Sequence, residues 1–243
     1  KSRQPFDKWT IGDITHIAFN NVEAAASAIT HETAAVIVEA IQGEGGVHPA
    51  DKSYLHALRC LCDEHGVLLI IDEIQSGIGR TGKWFAFEHA EITPDIITLG
   101  KGVAGGIPMG VVCWKSSLGQ LKTGLHGSTF GGNPLACVAG TATLNTLITM
   151  DAPQHASLVG SNFMRRIQQI GHPFIREVRG RGLMIGIELR GRVTPLLKGL
   201  QGRGVIALSA GKTVLRLLPP LVVTQTKLET VANLLEETLH EIV

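Results

Sequence analysis

The sequence is short of the features that mark disulfide-held, membrane-spanning and nucleic-acid-binding proteins. Four cysteines in 243 residues, at 60, 62, 113 and 137, form no CxxC pair and are too sparse for a disulfide scaffold, so a reducing interior suits them. Cys60 and Cys62 fall in a helical pattern and read as small buried hydrophobes rather than ligands. No run of 18 apolar residues crosses the chain and no signal peptide opens it, which leads to the expectation of a soluble, cytoplasmic protein. Charge is nearly balanced, with 22 Lys plus Arg against 21 Asp plus Glu. Nothing in that balance invites nucleic acid.

Recognisable alternatives are missing too. GIGRTG places glycines at 77, 79 and 82, which matches the spacing of a dinucleotide fingerprint, but no helical apolar pattern follows it, so the helix that such a site needs is missing. No cluster of Asp, Glu, Cys or His forms around His89 or His126, and both read as loop and surface residues rather than metal ligands. Zinc spacing and a nucleophile elbow are both absent.

What is present is an alternation of short aliphatic runs with helical stretches. Residues 34–39, 67–71, 95–99 and 110–113 are continuous aliphatic runs bounded by polar residues or glycine, the pattern of strands covered on both faces in a parallel or mixed sheet. Between the first two lies DKSYLHALRCLCDEHG. Its Leu55, Leu58 and Cys62 share one face, Asp51 is placed to cap it and Gly66 to end it, so strand, helix and strand form a βαβ unit with a right-handed crossover. Asn133 followed by Pro134 marks the start of a helix running to about Met150, and a second starts at Pro153 and runs to Ile170. IREV, LMIGIEL and VLRLLP are strand-like, with a short helix near 194–201. A last helix spans about 226–242, with Thr226 and Glu229 at capping-box spacing and Leu228, Val231, Leu234, Leu235 and Leu239 along one side. The expected architecture is α/β, with residues 1–149 belonging to a large mostly parallel-sheet domain and 150–243 to a smaller one.

Asp72 and Glu73 end the second strand, at the edge where open α/β sheets bind ligands. Lys101 follows the third strand between two glycines, which would permit a tight turn and the close approach of a flat ligand. A carboxylate and an amine at neighbouring strand ends suit pyridoxal phosphate, which takes a lysine Schiff base at its aldehyde and an acidic partner at its ring nitrogen. Taken alone, a lysine after a strand is far more often a solvated surface residue, and an Asp-Glu pair there is a polar cap about as often as it is catalytic.

Five segments in order carry a more specific signal. VEAIQGEGGV (38–47), LLIIDEIQSGIGRTGKWFAFEH (68–89), PDIITLGKGVAGGIPMG (94–110), HGSTFGGNPLACVAG (126–140) and LRLLPPL (215–221) resemble the class III aminotransferases of the fold-type I pyridoxal-phosphate enzymes, nearest the acetylornithine, ornithine and lysine-biosynthesis members. The resemblance covers nearly the whole chain. It implies that Asp72 faces the pyridine nitrogen, Gln75 lies beside the cofactor's phenolic oxygen, and Lys101 is the Schiff-base lysine. It also implies that Thr129, with Ser128 beside it, reaches the cofactor phosphate of a neighbouring subunit in a homodimer. Arg216 is implied to grip the substrate α-carboxylate, and Glu44 to pair with that arginine and release it to an incoming dicarboxylate.

The implied reaction moves the side-chain amino group of an ornithine- or lysine-like donor, N-acetylornithine favoured, to 2-oxoglutarate. An aminomutase or 4-aminobutyrate transaminase on the same scaffold is the enzymatic rival, and a noncatalytic interaction protein the rival of another class. Ala40 stands where the family usually has proline, which bears on loop stiffness rather than charge. The family's phosphate-binding glycine- and serine-rich loop and its ring-stacking aromatic have no counterpart before Asp72. With the opening KSRQPFDKW lacking an initiator Met, residues 1–243 are expected to be the carboxyl-terminal portion of a longer polypeptide, inactive and poorly folded alone.

Overall fold

A computed structural model describes residues 14–242; the opening KSRQPFDKW lies outside the described residues. Helix α1 (Val22–Ala28) is capped by the Asn21 side chain, which accepts from Ala24 N at 2.7 Å, satisfying one of the amides that a helix start leaves free. Strand β1 (Ala35–Glu39) leads into a hairpin of β2 (Ile41–Gln42) and β3 (His48–Pro49). Helix α2 (Lys52–His65) ends at Gly66 in the left-handed conformation, where glycine carries no Cβ penalty. Asp51 stands at the helix start as expected, yet its side chain makes no capping bond.

Strands β4 (Leu68–Asp72), β5 (Ile96–Leu99) and β6 (Val111–Trp114) complete the first sheet in the order β1-β4-β5-β6. The first three are parallel and β6 runs antiparallel to β5. Leu69 and Ile71 point into a core with Leu55, Leu58 and Cys62 of α2 and Ala25 of α1. Covering on both faces is not what the described residues show: Ile37 on β1 is 66% exposed and Val112 on β6 is 55% exposed. An aliphatic run records what a strand can bury, while the neighbours that bury it come from elsewhere in the fold. Cys60 corrects the sequence reading in the same way, being exposed two residues from buried Cys62, whose thiol burial pushes up to about 11. Two residues along a helix turn by nearly half a circle, so both cannot face the core.

Helix α3 (Pro134–Thr149) starts at Asn133, whose side chain accepts from Ala136 N. It is followed by α4 (Ala152–Ile170), β7 (Ile175–Arg181), β8 (Met184–Leu189), α5 (Thr194–Gly202), β9 (Leu208–Ala210), β10 (Val214–Leu217) and α6 (Gln225–Ile242). The four strands make a second, antiparallel sheet in the order β7-β8-β10-β9. Phe163, Ile167, Ile185, Ile187, Leu235 and Leu239 form its buried core with α4 and α6. The last helix is capped two residues earlier than the sequence suggests. Thr224, not Thr226, accepts from an amide of the first turn, Lys227 N, and Glu229 accepts from the Gln225 side chain.

GIGRTG joins the two sheets. Arg80 accepts from Leu183 N at 2.9 Å through its carbonyl, and its guanidinium donates to the carbonyls of Leu183 and Pro219. Burial pulls that guanidinium down to about 10. No helix among the described residues is long and apolar enough to cross a membrane.

Candidate active site

Asp72 is the last residue of β4 and sits in register with Glu39 of β1 on one side and Thr98 of β5 on the other. Its Oδ1 accepts from Ile74 N at 2.9 Å and from Thr98 Oγ1 at 3.1 Å. Those two bonds fix the carboxylate at the strand end and leave Oδ2 without a partner among the described residues. Glu73, the other acid of the pair, turns inward. It is 1% exposed and accepts from Ser76 Oγ at 2.6 Å and Phe87 N at 3.0 Å, and burial raises its pKa. The alternation of side chains along a strand separates the two acids.

Lys101 begins two residues after β5 and is exposed. The sequence assigns the tight turn to its flanking glycines, but the strain falls on the lysine, whose φ is 49°. Gly100 is extended and a Cβ on Gly102 would meet nothing within 4 Å. A left-handed lysine costs about 1–2 kcal/mol, and such costs concentrate at functional sites. Lys101 and Asp72 both act electrostatically on Glu39, the lysine lowering and the aspartate raising its pKa, so the amine and the carboxylate share one strand-end neighbourhood.

Glu44 lies on the β2–β3 turn, and Arg216 on β10 of the second sheet. Their side chains meet at 2.6 Å. The pair is lopsided: the arginine side chain is 6% exposed and the glutamate 74%. Arg216 Nη1 also donates to Gln75 Oε1 at 3.2 Å, and Gln75 Nε2 reaches Glu44 at 3.5 Å. Gly43 makes this contact possible, since a Cβ there would lie 1.9 Å from Gln75 Oε1. Arg216 Nε is buried with no hydrogen-bond partner among the described residues. The bond from Arg216, only partly offset by desolvation, holds the Glu44 carboxyl below its usual range.

Ser128 and Thr129 sit in an exposed turn and share no hydrogen bond with these residues. Ser128 Oγ accepts from Gly131 N at 3.1 Å. His89 is occupied by Thr81, and no cluster of metal-binding side chains occurs among the described residues.

A match to the family described as class-III aminotransferase spans residues 4–239. The chain belongs to the class-III aminotransferases. Among relatives of this aminotransferase chain, the acetylornithine aminotransferase of Methanocaldococcus jannaschii is 44% identical over 230 residues, covering 93% of the chain and 58% of that protein. Ornithine aminotransferase 2 of Staphylococcus aureus is 46% identical over 215 residues, covering 88% of the chain and 54% of that protein. The structure of ornithine δ-aminotransferase from Plasmodium falciparum superposes with a TM-score of 0.90 at 32% identity, over 95% of this chain and 62% of that one. The chain thus spans a little over half the length of the curated relatives it matches.

Three residues of the site escaped the sequence reading. Glu39 and Thr98 flank Asp72 only because β1, β4 and β5 pair in this register. Arg179 of β7 donates to the carbonyls of Gly46 and Val47, a contact across 132 positions that no local spacing encodes.

Proposed function

We propose that this chain carries the catalytic lysine and the carboxylate-binding arginine of a pyridoxal-phosphate aminotransferase. The donor would be an ornithine-like amine, N-acetylornithine favoured, and the acceptor 2-oxoglutarate. The observation that carries the reading is Arg216, buried, with an unpartnered Nε and an exposed carboxylate on Nη1. Taking its carboxylate partner away from a buried guanidinium is costly unless another anion replaces it. An exposed Glu44 can leave when a substrate carboxylate takes its place, and the planar fork offers that carboxylate two parallel bonds.

The residues present fit the cofactor. Asp72 keeps one carboxylate oxygen without a partner, and Lys101 holds an exposed amine at the adjacent strand end. When bound, pyridoxal phosphate supplies an aldehyde that accepts the amino group and a ring that withdraws electrons from the carbon losing its proton. Asp72 would hold a proton at the ring nitrogen, where an ionic hydrogen bond contributes about 1.5–3 kcal/mol. Lys101 Nζ would hold the aldehyde covalently and, once displaced by the donor amine, carry a proton to and from the reacting carbon. Gln75, already ordered by Arg216, would face the phenolic oxygen.

Thr129 and Ser128 would serve a neighbouring subunit's phosphate, which makes a homodimer part of the proposal. Residues 1–149 would form part of the cofactor-binding domain and 150–243 the smaller one, in a cytoplasmic enzyme.

An amine-donor screen of the holoenzyme against 2-oxoglutarate tests the reading. Glutamate and a semialdehyde as separate products support it. Internal rearrangement of the donor, or no glutamate from any ornithine-like amine, overturns it.

A further inference from the structure

The turn that carries Glu44 is contacted by a second arginine, Arg179. Arg179 pairs with Gly186 across β7 and β8, and Gly186 pairs with Arg216 across β8 and β10. Residues directly opposite one another in a sheet project to the same face. The two arginines therefore stand on one face with a glycine between them.

The turn bearing Glu44 lies across that row. A Cβ on Gly186 would come within 2.9 Å of Val47 Cβ and 3.1 Å of Gly46 O. Real Cβ contacts are not that short, so the turn rests where a side chain would otherwise be. Arg179 then grips it: Nε donates to Gly46 O at 3.0 Å and Val47 O at 3.2 Å, and Nη2 to Gly46 O at 2.8 Å. Glu188 and Glu177 each hold the Arg179 guanidinium at 2.7 Å, and Thr213 orients Glu188. At its other end the turn is tied by Gly43 N, which donates to the Glu39 carboxylate at 3.0 Å. Val47 is fully buried against Ile41 and Met184. Between these anchors only Glu44 and Gly45 are exposed.

We propose that Arg179 and Gly186 are positioning residues that seat the 43–47 turn on the second sheet, so that Glu44 uncovers Arg216 by moving its side chain and not its backbone. The inference rests on the reading of Glu44 as the anion that occupies Arg216 between carboxylate substrates. Loosening the seat lifts Glu44 away and leaves Arg216 open to any carboxylate. The consequence is lost discrimination between a side-chain amine donor and an α-amino dicarboxylate.

The test uses holoenzyme carrying Glu44→Gln, Gly186→Ala or Arg179→Lys, the last keeping the charge beside Glu188 without a fork that spans two carbonyls. Single-turnover rates with ornithine and with glutamate give a ratio for each variant. Losing charge-assisted bonds of this kind predicts a shift of about tenfold toward glutamate in all three. Combining Arg179→Lys with Glu44→Gln should add no further shift, because the two act through one carboxylate. Hydrogen exchange at residues 43–48 should also quicken in Gly186→Ala and Arg179→Lys, with β8 and β10 unchanged.

An equal fall on both substrates in the two seat variants, or unchanged exchange at 43–48, overturns the inference while leaving the function intact if Glu44→Gln still shifts the ratio. A Glu44→Gln ratio equal to that of the unsubstituted enzyme overturns the occupant reading and this inference together.

Discussion

Glu39 and Asp72 end two parallel neighbouring strands in direct register, two carboxylates side by side at one sheet edge. Burial raises the Glu39 pKa; the Gly43 amide opposes the rise, and the Asp72 charge adds to it. In the unfolded chain Glu39 loses its proton at the ordinary value, before the folded one does. Its contribution is therefore fully present below about pH 4.5 and is lost as pH rises through the raised folded value. Glu39→Gln keeps an oxygen for Gly43 N and removes the charge. Chemical denaturation measured from pH 4 to 8 is expected to show a shallower loss of stability with rising pH in the variant. An unchanged slope would show that Glu39 is not the group responsible.

Lys101 combines an exposed side chain with a left-handed backbone. Lys101→Gly should abolish turnover, by about a thousandfold or more, and yet raise stability by about 1 kcal/mol, because glycine accepts that φ freely. Lys101→Ala should lose the same activity without the gain in stability, and both should lack the visible absorption of lysine-bound cofactor. Persistence of that absorption in either variant removes Lys101 from its assigned role.

Asp72→Asn preserves an oxygen for Ile74 N and Thr98 Oγ1 but takes away the negative charge. Turnover is expected to fall by about a hundredfold, with the melting temperature nearly unchanged. A variant as active as the parent would mean that no charge is needed at that strand end.

Asp95 ties the first sheet together at the opposite end from the site. It bonds Arg59 and Lys115 at 2.8 Å each and accepts from Leu69 N at 2.8 Å. Its side chain is 12% exposed and that of Arg59 13%. Desolvation works against the charged carboxyl, but the Leu69, Lys115 and Arg59 bonds together hold it below the usual range. That contribution is present above the ordinary carboxylate value and is lost as pH falls through the lowered one. Asp95→Ala should destabilise the protein by about 2 kcal/mol near neutral pH, since it removes the Leu69, Lys115 and Arg59 bonds together and leaves Arg59 only the more exposed Asp63 as an acidic partner. Thermal unfolding of parent and variant at pH 7, expected to converge in strong acid, provides the check.

The aliphatic runs, the Asn133–Pro134 helix start and Gly66 as a helix end were all readable along the chain, because strand pattern and helix capping are set by residues close together in sequence. The five ordered segments carried the family, and with it the candidate roles of Lys101, Asp72, Gln75, Glu44 and Arg216. The two-residue strands of the hairpin, β9 and α1 were not seen, being too short to establish a period. Thr224 as the cap of the last helix was missed because Thr226 offers the same chemistry two residues later, and only the backbone decides which hydroxyl meets a free amide.

By itself the sequence determined the alternation of strands and helices and the placement of an acid and a lysine at successive strand ends, because strand periodicity and capping are local properties of the chain. Tertiary structure alone decided that Glu39 stands beside Asp72, that Lys101 takes the strain its glycines were expected to bear, and that Arg179 and Arg216 flank the turn holding Glu44. Those relationships depend on contacts between segments up to 172 positions apart and, for the paired strands, on a register in which a one-residue slip would turn each side chain to the opposite face.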